Sequence, residues 1–147
     1  MFGDLLRRMT APDPEPLPYD DARLALAALL VRVARSDGDY AAVEQASIDR
    51  ALAHRYGMTQ DASSTLRTEA EALEAAAPDT VRFTRAIKDA VPYEDRLHVI
   101  ETLWFIALAD GERDDEEDAI MRMVAPMLGI NDRDSNLARK RVEEAHG

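Results

Sequence analysis

The sequence predicts an all-α fold, a single-domain bundle of about seven helices, and three observations carry that prediction. The 147-residue chain is 46% apolar, enough for one real core. Aromatics are only 5%, and alanine and leucine, both strong helix formers, supply much of the apolar set. β-Branched residues are sparse and do not alternate with polar ones, so the period of two expected of a half-buried strand is missing.

The elements follow from local punctuation. In MFGDLLRRM, Phe2, Leu5, Leu6 and Met9 share one helical face and Arg7 and Arg8 the other, but so short a helix is not stable alone. It reads either as a weak membrane or partner anchor or, the ordinary outcome, as a segment that docks on its own domain or stays mobile. APDPEPLP, with four prolines between Pro12 and Pro18, cannot continue a helix and forms an extended linker. Residues 1–18 thus precede a helical domain at 19–147.

The first helix opens at Asp20 or Asp21 and runs through LALAALLVRVA to about Ser36. A second spans roughly 41–56, closed by Gly57. The third starts after Thr59, an N-cap candidate, and ends before Pro78. A fourth follows Asp79 and carries Val81, Phe83, Ile87 and Val91. Pro92 suits the N1 position of the fifth, YEDRLHVIETLWFIALA. Asp114 and Glu117 make a capping-box-like start to the sixth, whose expected core stripe is Ile120, Met123, Val124, Met127 and Leu128 before Gly129 ends it. The seventh runs from about Asp132 to Ala145, with Leu137 and Val142 expected to face inward.

Composition excludes several functions. A net charge of -11 and no cluster of Lys and Arg oppose nucleic-acid binding, which requires phosphate neutralisation. Cations or basic surfaces are better partners. Without cysteine there is no disulfide, thiolate nucleophile or Cys-ligated zinc. The longest apolar runs, 24–31 and 103–109, fall far short of the roughly 20 residues of a spanning helix. MFGDLLRRM lacks the apolar region and cleavage site of a secretory signal, which places the expected location in the cytoplasm.

Shifting the chain by 73 residues aligns Leu24 with Leu97, Leu30 with Leu103, Ala34 with Ala107, Asp37 with Asp110, Gly38 with Gly111, Glu44 with Glu117 and Ala46 with Ala119. Asp39 meets Glu112. The pattern is an internal two-fold repeat of helical hairpins, each an apolar helix, an Asp-Gly turn and an amphipathic helix, with the first and fifth helices expected to be buried most deeply. Core packing explains the matched Leu and Ala. It does not explain matched carboxylates.

ARSDGDYAAVE at 34–44, ALADGERDDEE at 107–117 with LGI at 128–130, and the segment VRFTRAIKDAVPYEDRLHVIETLWFIALADGE together resemble the TerB-like family, domains related to the tellurite-resistance protein TerB. The resemblance covers roughly residues 20–145. It implies a bundle of about seven helices, divalent-cation binding by acidic residues with calcium as the usual ion, and a part in cytoplasmic assemblies linked to membranes and to metal or oxidant stress. It implies no catalytic activity. A direct role in tellurite reduction is disfavoured, since the chain has no thiol and its acidic surface repels an oxyanion.

The candidate metal ligands are therefore Asp37, Asp39 and Glu44 in the first turn and Asp110, Glu112 and Glu117 in the second. Ca²⁺ takes six to eight oxygens, of which one turn supplies part. Neither turn is an EF-hand: counted from Asp110, Asp115 stands where Gly is required and Met121 where the bidentate Glu belongs. A solvated helix start explains many of the same residues, because Asp114, Asp115, Glu116 and Glu117 sit favourably at the positive end of a helix dipole. The alternative function is accordingly a metal-free protein-interaction or membrane-associated scaffold. Glu94, His98 and Glu101 share a helix face at metal-ligand spacing, though a surface or hydrogen-bonded His is the commoner outcome. His54 and His146 stand alone in the sequence, and no Ser or Thr has a plausible His and Asp pairing at motif spacing.

Overall fold

The computed structural model describes the backbone of residues 19–36, 38, 40–77, 79–108 and 115–146, with side chains except those of 19–21, 115–117 and 146. Seven helices are present among them: α1 (Tyr19–Arg35), α2 (Ala42–Tyr56), α3 (Gln60–Ala76), α4 (Val81–Ala90), α5 (Tyr93–Ala107), α6 (Asp115–Met127) and α7 (Asp132–His146). No strand occurs among the described residues. The expectations for residues 1–18 and for a cap at Asp114 lie outside them.

Local chemistry sets the helix ends. Thr59 accepts the amide of Ala62 at 3.1 Å and so caps α3. Asn131 does the same for α7, taking the amide of Asp134 at 2.8 Å. Gly57 ends α2 at φ +62°, and the Met58 amide reaches back to the Ala53 carbonyl at 3.1 Å, the six-to-one bond of a Schellman end. Gly129 ends α6 in the same manner at φ +77°, with Ile130 bonding Ala125 at 2.9 Å. Pro92 precedes the first helical residue of α5 by one, at the N-cap, where its carbonyl accepts the Arg96 amide.

One helix organises the bundle. Almost all of α1 from Ala22 to Ala34 is buried, with Ala25, Ala27, Ala28, Leu29, Leu30, Val31 and Val33 at 0% exposure. It packs against α2, α3, α4, α5 and α6, which is why its sequence is apolar on every side rather than striped. Around it, α2 packs on α3 and α5 packs on α7. No helix among the described residues is long and apolar enough to cross a membrane.

Two faces differ from expectation. In α6 and the residue after it, the buried residues among those described are Met121, Val124, Ala125 and Leu128, while Met123 is 47% exposed. The helix carries apolar residues on adjacent stripes, so periodicity alone does not choose between them, and small Ala125 favours the close-packed one. In α7 the inward residues are Ser135, Ala138 and Val142, and Leu137 points out at 41% exposure. The Trp104 indole N–H donates to Ser135 Oγ at 3.1 Å and the Arg139 guanidinium lies 5.4 Å from its ring, fixing a face from which Leu137 is turned away.

Candidate functional site

The first acidic turn leaves α1 at Arg35. Ser36 and Gly38 donate their amides back to Val33 and Arg35 at 3.2 and 3.0 Å, and Gly38 takes φ +83°, a left-handed conformation that costs glycine little. Asp37 and Asp39, on either side, lie outside the described residues. Glu44 sits half-buried in the first turn of α2. In the second turn Asp110 and Glu112 lie outside the described residues, as does the side chain of Glu117 in the first turn of α6. Of the six candidate ligands, Glu44 alone has a described side chain.

The described residues around the first turn form a connected polar network. Tyr40, next after Asp39, donates its hydroxyl to Glu71 of α3 at 2.6 Å. Arg67 bonds that same Glu71 carboxylate at 2.7 Å and Asp49 of α2 at 2.6 Å, while Asp49 also accepts from Ser64 at 2.9 Å. Burial and the Glu71 carboxylate both push the Tyr40 phenol above its ordinary range. Burial opposes the charge on Arg67, but the Asp49 and Glu71 bonds outweigh it and hold the guanidinium firmly protonated.

One turn along α3, Glu74 receives two arginines from the last turns of α1. Arg32 bonds Oε2 at 3.0 Å and Arg35 bonds Oε1 at 2.6 Å. Arg32 also donates to the Glu74 and Ala77 carbonyls at 3.1 and 2.9 Å, so it satisfies the end of α3, and to Thr80 Oγ1 at 3.2 Å. Arg35 stacks over the Tyr40 ring at 4.9 Å and thereby joins both clusters. Sequence reading missed this network, because its members lie up to 48 residues apart and share no helical register.

The histidines fall together in an unexpected way. His54 of α2 and His98 of α5 line one cleft of about 710 Å³, along with Arg50, Arg55, Thr102 and Phe105. No spacing in the sequence could have revealed this, since it depends on how α2 crosses α5. The trio of Glu94, His98 and Glu101 does not form a metal centre: Glu101 is engaged by Arg141 of α7 at 2.9 Å, and no group of three His, Cys, Asp or Glu able to hold a metal occurs among the described residues.

A comparison with protein families matches residues 23–140 to that of the tellurite resistance protein TerB. No curated protein and no solved structure gives a significant match. The match spans α1 to most of α7 and includes both acidic turns. The seven-helix bundle and the repeated Asp-Gly motif of the sequence agree with that match, and the chain belongs to the TerB family.

Proposed function

We propose that this chain is a non-enzymatic TerB-family domain that binds a divalent cation, calcium first, at its acidic helix-turn segments, and that cation occupancy governs its assembly with protein partners at the cytoplasmic membrane face under metal or oxidant stress. The ligands are Asp37, Asp39 and Glu44 of the first turn and Asp110, Glu112 and Glu117 of the second.

The observation that carries this reading is the anchoring of the first turn. Gly38 is tied to the end of α1 and Tyr40 to α3 through Glu71, so the residues on either side of Asp39 are held by the bundle. A cation that drew Asp37 and Asp39 together would therefore act on a segment already wired to Arg35, Glu71 and Glu74. The packing of α1 on α3, and of α5 on α7, supports the two-fold repeat on which the second turn's role depends.

Melting the protein in EDTA, Ca²⁺, Mg²⁺ and Zn²⁺ at matched ionic strength tests the reading. Binding to the folded form alone at a hundredfold excess over Kd adds about 2.7 kcal/mol, or roughly 5–10 °C in melting temperature for a chain of this size. The double variant Asp110→Asn with Glu112→Gln should lose part of the shift, and Asp37→Asn with Asp39→Asn the rest. If no ion acts beyond what sodium chloride does, the protein is instead the metal-free interaction scaffold, and screening of its acidic surface explains any salt effect.

A further inference from the structure

The cleft between α2 and α5 has a chemistry opposite to that of the molecule around it. In a chain with 29 acidic and 18 Lys or Arg residues, Arg50, His54, Arg55 and His98 converge on one concavity. The single carboxylate lining it among the described residues, Glu101, is already bonded by Arg141 at 2.9 Å. We propose that this cleft binds a small organic anion, a phosphate or carboxylate group carried on an apolar body.

The donors suit an oxyanion. Guanidinium groups offer planar forks of N–H donors that match phosphate and carboxylate oxygens. Arg50 commits Nη2 to Ser47 Oγ at a long 3.3 Å, which occupies one of its five donors. Nε of Arg55 is buried and has no hydrogen-bond partner among the described residues, and its guanidinium carbon lies 5.5 Å from the Tyr56 ring.

The size and the walls argue for more than a bare ion. A cleft of about 710 Å³ falls in the range of small-molecule sites and far exceeds what one inorganic phosphate fills. Ala51 and Phe105 contribute apolar wall. Six of the eight described lining residues carry polar side chains, so the cleft offers a polar head-group site with a smaller apolar wall. The cleft shares no residue with the acidic turns, so cation titrations neither support nor undermine it.

The test is titration of the full chain with phenyl phosphate, phenylacetate, inorganic phosphate and phenol at constant ionic strength, read by calorimetry and by backbone amide shifts. At least one of the two aryl anions should bind with Kd below about 1 mM, and the stronger of them identifies the head group. Amide changes should concentrate at residues 50–55 and 98–105. Phenol should not bind, and inorganic phosphate should bind about tenfold or more weakly than the better aryl anion. The double variant Arg50→Gln with His54→Gln alters two exposed side chains and should keep the melting temperature while weakening binding about tenfold. Arg55→Gln should weaken it as well, and any loss of fold in that variant leaves the exposed pair as the deciding case. Absence of binding by both aryl anions at about 10 mM, equal binding by phenol, or unchanged affinity in the Arg50/His54 variant would each overturn the proposal.

Discussion

Glu74 shows how one carboxylate can organise several helices. Its two oxygens hold Arg32 and Arg35, and its side chain is only 11% exposed, so it and the Arg32 guanidinium, 15% exposed, are withdrawn from water together while Arg35 keeps 36% exposure. Glu74→Gln keeps the shape but leaves the guanidiniums without a counter-charge, and should lower unfolding free energy by about 3 kcal/mol in urea denaturation. Tyr40 gives a second test at this scale, because its phenol titrates above the ordinary value near 10 when folded. The folded state therefore retains the proton to higher pH than the unfolded state does. The stabilisation is complete below about pH 10 and is lost as pH rises through the folded value. Tyr40→Phe should accordingly show a shallower loss of melting temperature above pH 10 than the parent chain does, and an identical slope in the two proteins would remove the Tyr40–Glu71 bond from the account.

At the scale of the element, what the sequence made legible was local chemistry. Thr59, Gly57 and Gly129 mark helix ends because capping bonds and left-handed backbone depend on residues within a turn or so of the boundary. Gly57→Ala isolates that effect: no atom lies within 4 Å of an added Cβ, so the loss of about 1 kcal/mol expected in chemical denaturation comes from the φ of +62° and not from a clash. Facing was legible only where a helix is striped. In α6, apolar on adjacent stripes, Met121 is buried and Met123 exposed, a choice that periodicity alone does not make, and for α7 the Trp104–Ser135 bond outranks the larger Leu137. The cleft that unites His54 with His98, and the path from Tyr40 through Glu71 to Arg67, are products of helix crossing. No pattern along one helix encodes them. The acidic turns were visible as composition and repetition, yet their chemistry depends on distances between loops that sequence spacing does not contain.

For the molecule as a whole, the central position of α1 decides how it should unfold. A helix in contact with α2, α3, α4, α5 and α6 cannot leave without opening the core of every one of them, so the bundle should melt as one unit. Leu29, fully buried near the middle of α1, is the sharpest probe. Leu29→Ala leaves a cavity among several helices at once and should cost about 3 kcal/mol, lowering the melting temperature by roughly 6–12 °C. Cooperativity is the more telling readout. Trp104 reports on the α5–α7 contact through its bond to Ser135, on a different pair of helices from the mutated one. If α1 is the shared core, fluorescence of Trp104 and far-ultraviolet circular dichroism should shift together in the variant and coincide at every temperature. A Trp104 transition that stays at the parent temperature while the dichroism shifts would mean that α5 and α7 hold together without α1, and the bundle would then consist of two cooperative units.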